Sequence, residues 1–127
     1  MNREILFRGK RKQDGLWVHG DLVRLKDGDG QVPCIYYFGE VYPESIGQFT
    51  GVYDKNGDEI YEGDILEFAE AEIPEEERAQ CIYIASEGCF KLKNPKYDYM
   101  DDLNSLTASM EIIVGNTYDG IYRRNEQ

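Results

Sequence analysis

The sequence predicts a mainly β protein: an N-terminal antiparallel β segment, a second part built of β-hairpins, and one short helix. Three observations predict it. Ten of the sixteen aromatic residues are Tyr, a type that suits pleated, half-buried surfaces. Short apolar runs alternate with clusters of Gly, Asn and Asp, which mark tight turns. A single stretch, near the C-terminus, carries helical periodicity.

Taken in order, a first strand covers Glu4 to Arg8, and the basic, polar stretch from Gly9 to Gly15 turns the chain. Leu16-Trp17-Val18 and Leu22-Val23-Arg24-Leu25 continue the apolar pattern. Lys26-Asp27-Gly28-Asp29-Gly30 is a turn, because Gly accepts positive φ and Asp bonds its own backbone. Val32 to Phe38 reads as a further strand, in which Pro33 argues for an edge position or a strand start. Alternation along such a strand puts Tyr36 and Phe38 on one face and Tyr37 on the other. Asn56-Gly57, between Val52-Tyr53 and Ile60-Tyr61, predicts a hairpin with a type I′ turn. Glu62-Gly63-Asp64 predicts a tight corner with Asp64 bonding turn amides, and Ile65 to Phe68 a strand after it.

Residues 67–77 hold six glutamates (Glu67, Glu70, Glu72, Glu75, Glu76, Glu77) and no base, so they predict a solvated acidic loop. Cys81 to Ala85 and Cys89 to Leu92 flank Ser86-Glu87-Gly88 as a second hairpin. Residues 102–110 predict the helix, capped by Asp101 or Asp102, with Leu103, Leu106 and Met110 along one apolar face. Glu111 to Val114 forms a closing strand ended by Gly115-Asn116. The total is about eight strands, in an N-terminal lobe of residues 1–58 and a C-terminal lobe of residues 59–127.

Composition sets the class. At 127 residues, with 41% hydrophobic and 31% charged residues, the chain can build its own core without metal or disulfide. Three Cys (Cys34, Cys81, Cys89) form no C-x-x-C pair, and their odd number argues for a reducing compartment. No apolar run is long enough to cross a bilayer and none resembles a signal segment. A cytoplasmic protein with no membrane partner is therefore expected. The net charge of −11 is polarised: residues 1–26 carry seven bases against three acids, a net of +4, which leaves −15 for the remainder.

No catalytic or metal constellation survives inspection. Asp54-x-Asn56-x-Asp58 begins like a calcium loop, but Gly57 is fourth, Glu59 sixth and Ile65 twelfth, where that loop needs Gly sixth and Glu twelfth. His19 is the single histidine, and with three scattered Cys it matches no zinc spacing. No nucleophile, base and orienting group are brought together by spacing. A non-enzymatic protein without a cofactor is expected.

Three stretches carry a family resemblance. They are Arg3-Glu4-Ile5-Leu6-Phe7-Arg8-Gly9-Lys10 with Gly15-Leu16-Trp17-Val18-His19-Gly20-Asp21-Leu22; the long run from Gln48 through Gly51-Val52-Tyr53-Asp54-Lys55-Asn56-Gly57 to Glu62-Gly63-Asp64-Ile65; and Ile113-Val114-Gly115-Asn116-Thr117-Tyr118. In this order they resemble the YopX family of phage and prophage proteins across nearly the whole chain. The resemblance implies a mainly β protein whose C-terminal part is like a small SH3 barrel, and it supplies no activity. The hairpins after Glu62-Gly63-Asp64 agree with a small barrel.

The leading functional expectation is an interaction or self-assembly module that docks on a host or phage protein or on its own kind, with a homo-oligomer among the forms it takes. The candidate surface is Trp17, Tyr37 and the glutamates Glu67, Glu70, Glu72, Glu75, Glu76 and Glu77. The same glutamates could imitate a phosphate backbone and block a host DNA-binding protein. A competing reading is a nucleic-acid-binding barrel using Arg8, Lys10, Arg11 and Lys12 beside Trp17, which the net charge disfavours.

Overall fold

The computed structural model describes residues 4–69, 78–94, 96 and 99–121. The protein is mainly β, with antiparallel sheets and one short helix, in two compact units, Met1–Phe49 and Thr50–Gln127. Thirteen strands occur among the described residues: the expected run from Leu16 to Leu25 is split at Asp21, and the short strands Gly39–Glu40, Tyr99–Asp102 and Gly120–Ile121 add to those expected.

In the first unit β1 (Phe7–Lys10) pairs with β2 (Trp17–Gly20), Lys10 opposite Trp17 and Arg8 opposite His19. β3 (Leu22–Asp27) and β4 (Gly30–Ile35) form a hairpin around Gly28-Asp29, and β5 (Gly39–Glu40) follows, in the sheet order β3-β4-β5. After a 3₁₀ turn at Pro43–Ser45, β6 (Gly47–Tyr53) begins alongside β1. Val18, Ile35 and Val41 form the core, with Phe7, Leu22 and Ile46 packed on it. Gly9 lies so close to Val41 that a Cβ would sit 2.9 Å from that side chain. A side chain there could enter only by moving Val41.

The run from Val32 to Phe38 is not one strand. β4 stops at Ile35, and Tyr36-Tyr37-Phe38 is the turn into β5. Tyr37 takes φ 78°, which breaks the alternation expected of the three aromatics. Pro33 lies inside β4, opposite Arg24. It is tolerated because the β4–β5 ladder begins only at Cys34 and Pro33 needs to supply just its carbonyl, which accepts from Val41 N–H.

In the second unit β7 (Glu59–Tyr61), β8 (Asp64–Phe68), β9 (Ala79–Ile84), β10 (Cys89–Asn94), β11 (Tyr99–Asp102), helix α1 (Ser105–Ala108), β12 (Glu111–Asn116) and β13 (Gly120–Ile121) follow. Six of these strands form one sheet in the order β11-β10-β9-β8-β12-β13, with β11 and β13 at its ends. The ladder among the described residues is thus a linear run, and it describes no closed barrel. Ile60, Leu66, Cys81, Leu92, Ala108 and Ile113 make its core, joined by Val52, Ala79, Phe90 and Leu103. The division after Phe49 precedes the expected 58/59 boundary. Val52 packs on the second core, and the Thr50 hydroxyl donates to Ile60 O, so this hairpin belongs to the second unit.

Both hairpin turns are present. Ile84 pairs with Cys89 across Ala85–Gly88. At Asp54–Asp58 only Gly57 has positive φ (85°), so the turn is a type I turn closed by a left-handed glycine, not type I′. Asp64 is fully buried and accepts from Tyr61 N–H at 2.7 Å, as the corner requires. The helix is shorter than 102–110 and its cap is Asn104, which accepts from Leu106 and Thr107 amides while Thr107 reaches back. Asp102 lies in β11 instead, paired with Lys91. The helix buries Ala108 and leaves Leu106 72% exposed, so the expected Leu106 face is not its inner face.

Candidate interaction surface

The first unit collects aromatic and basic side chains on the β1–β2 hairpin and the β4–β5 turn. Arg8, Lys10 and Trp17 share one face of the β1–β2 ladder, since Arg8 and Lys10 are two apart and Lys10 faces Trp17. The Arg8 guanidinium lies 4.8 Å and the Lys10 ammonium 5.5 Å from the centre of the Trp17 ring. Both cations are thus engaged with the indole, and Arg8 is buried there.

Arg11 and Lys12 go elsewhere. Arg11 donates twice to Asp14 (3.1 and 2.5 Å), and that pairing, followed by the Leu16 amide, holds the Asp14 carboxyl below its ordinary range. Its guanidinium also lies 6.0 Å from the Phe38 ring centre. Lys12 pairs with Glu40 at 2.9 Å and lies 5.6 Å from the Tyr42 ring centre. The four basic residues singled out from the sequence do fall in one region, but two of them face carboxylates and the other two face one indole.

Beside them stands the turn Tyr36-Tyr37-Phe38. Tyr37 is 90% exposed and Tyr36 65%, and the Tyr37 ring meets Phe38 edge-on at 5.9 Å. Trp17, by contrast, is half-buried and carries less open surface than expected. Tyr42, Arg24 and Lys26 are surface features that sequence reasoning missed. Arg24 and Lys26 alternate along β3, and that spacing before Asp27-Gly28 was the available signal.

The acidic residues behave differently from the expected loop. Glu67 is not solvated: it lies in β8, 4% exposed, with Oε1 3.3 Å from Arg78 Nε. Glu67 lies on the face opposite the core residue Leu66 and is buried there nonetheless, with the nearby Arg78 providing the counter-charge that a residue-type count over 67–77 omits. Glu70, Glu72, Glu75, Glu76 and Glu77 lie outside the described residues. Burial, then Asp101 and Glu67, push the half-buried Glu111 carboxyl up to about 7. The folded chain therefore holds this proton more tightly than the unfolded chain, whose carboxyl titrates near 4.5. Stability is expected to fall as pH rises from about 4.5 towards 7, by about 1–2 kcal/mol once solvent screening is allowed for. Glu111→Gln should abolish that portion, which melts of both proteins at mildly acidic and mildly alkaline pH would measure.

Asp54 is spent on structure. Its Oδ1 accepts from Asn56 and Asp58 amides at 2.9 Å each, and its Oδ2 from Ile113 N–H at 3.1 Å. Among the described residues no group of three or more His, Cys, Asp or Glu is placed to hold a metal ion. Burial, and next Glu40, push the Cys34 thiol up, so it is a poor nucleophile. No helix among them is long and apolar enough to cross a membrane.

An exposed aromatic turn thus lies beside stacked and paired cations in the first unit. The profile of the YopX protein family matches residues 6–120, and the chain belongs to that family. Among solved structures it is similar to protein EF1440 from Enterococcus faecalis, with 20% identity over 89% of this chain and 92% of that one, and a TM-score of 0.50. That likeness speaks for the fold. No curated protein matches the chain.

Proposed function

We propose that this protein is a non-enzymatic docking module, of phage or prophage type and working in the bacterial cytoplasm, that binds a partner protein through the turn Tyr36-Tyr37-Phe38. The observation that carries this reading is Tyr37: a large aromatic, 90% exposed, in a left-handed conformation (φ 78°) that costs a residue with a Cβ about 1–2 kcal/mol. Folding gains little from holding a tyrosine there. Binding does, because a rigid, amphipathic ring anchors interfaces at low entropic cost.

Tyr37→Gly tests it. Glycine takes this φ freely, so the variant should melt at or slightly above the wild-type temperature while losing its partner in a pull-down. A partner captured equally well by Tyr37→Gly would refute the assignment to this turn. Direct nucleic-acid binding is the second reading, favoured by Arg8 and Lys10 on Trp17. Phosphates would have to compete with Asp14 and Glu40 for Arg11 and Lys12, and a filter-binding assay at low salt separates the two readings.

A further inference from the structure

β3 ends the three-stranded sheet β3-β4-β5, and among the described residues it has a neighbour on one side only. Its hydrogen-bonding phase follows from two facts. Asp27 faces Gly30 across the turn, and the Tyr36 amide donates to Asp21 O at 2.7 Å. In an antiparallel pair the bonded and non-bonded positions alternate. Val23, Leu25 and Asp27 therefore bond to β4, while Leu22, Arg24 and Lys26 point their N–H and C=O groups outward. Pro33 opposite Arg24 fits this phase, since that position asks no amide of it.

The side chains along this edge have a pattern. Arg24 and Lys26 are exposed, two residues apart on one face of the strand, and Leu25, 54% exposed, is on the other. Their cross-strand neighbours are Pro33 and Gln31, so neither cation faces an acid across the ladder. Arg11 and Lys12 have carboxylate partners and Arg8 and Lys10 lie on Trp17. Arg24 and Lys26 have no ion pair among the described residues. An edge with unsatisfied backbone, two unpaired cations and an exposed leucine is complementary to one kind of ligand.

We infer that the outer edge of β3 accepts an extended acidic segment of a partner protein by strand addition. The incoming strand places Asp or Glu at alternate positions opposite Arg24 and Lys26, and apolar residues between them over Leu25. Outward N–H and C=O groups of Leu22, Arg24 and Lys26 hold its backbone. A second copy pairing through the same edge is disfavoured: with Leu25 opposite Leu25, Arg24 would face Lys26. This site is separate from the aromatic turn and stands without it.

The test uses the full chain and a short fluorescein-labelled peptide alternating glutamate with valine, beside one alternating lysine with valine, read by anisotropy. The glutamate peptide should bind at least about tenfold more tightly than the lysine peptide. The double variant Arg24→Glu with Lys26→Glu, both on the surface, should lose that preference. Lys26→Pro removes an outward N–H but no bond to β4, and should also weaken binding about tenfold. In the wild-type protein, peptide should slow hydrogen exchange of the Arg24 and Lys26 amides. Tyr37→Gly should bind the peptide unchanged, so the two surfaces fail or succeed separately. Equal binding of both peptides, unaltered exchange at those amides, or full binding by Lys26→Pro would overturn the proposal. So would a concentration-dependent dimer that Lys26→Pro dissolves and the peptide does not.

Discussion

Asp54→Ala is expected to destabilise the second unit by about 3–4 kcal/mol. Asp54 is 5% exposed and its two oxygens serve three amides, those of Asn56, Asp58 and Ile113. The first two are local and fix the turn. The third is 59 residues away and ties the turn to β12, an attachment reinforced by Lys55 N–H donating to Glu111 O at 2.8 Å. Alanine removes the acceptor and leaves the Ile113 amide buried without it. Asp54→Asn keeps one acceptor oxygen and should lose roughly half as much. Urea unfolding of the three proteins measures this. A loss below about 1 kcal/mol for alanine would mean the turn does not hold β12.

Gly115→Ala should cost about 3 kcal/mol or more and detach β13. A Cβ built on Gly115 would lie 2.3 Å from Gly120 O and 2.7 Å from Ile121 Cα. Both obstacles are backbone, so no rotamer change relieves them. At Gly9 the obstacle is the Val41 side chain at 2.9 Å, and Gly9→Ala should cost less. The specific readout is faster hydrogen exchange in Gly120 and Ile121, the two residues β13 contributes to the ladder. Unchanged exchange there would show that β13 tolerates the methyl group.

These positions mark what the sequence could reveal. Turn chemistry is local, so the Asp54–Asp58 hairpin, the Asp64 corner and the hairpin at Ser86-Glu87-Gly88 were legible as turns from a few residues each. The turn type at Asn56-Gly57 was not, because Asp54 reaching into the loop selects the conformation. Gly115 read as a strand end. It is instead a strand interior whose lack of a side chain admits β13, a tertiary demand with no local signature. Tyr36-Tyr37-Phe38 misled because three aromatics read as strand, while the chain has to turn there to bring Gly39 opposite Ile35.

The candidate surface was legible in composition and illegible in pairing. Arg8 and Lys10 near Trp17 could be inferred from a short hairpin, and they meet as expected. That Asp14 and Glu40 would answer Arg11 and Lys12 depended on register. Glu67 counted as one of six acids until its strand placed it inside, against Arg78. A charge total does not distinguish a solvated carboxylate from a buried, paired one.

Trp17 is the single tryptophan of the chain, and it lies in the first unit. Indole emission is therefore a private optical channel for that unit, with Arg8 and Lys10 over the ring as the charges that tune it. Far-ultraviolet dichroism, by contrast, sums the strands of both units. Followed together through one melt, the two signals coincide if the units unfold cooperatively and separate if each unfolds on its own. The protein thus carries, without any label, the means to count its own folding units.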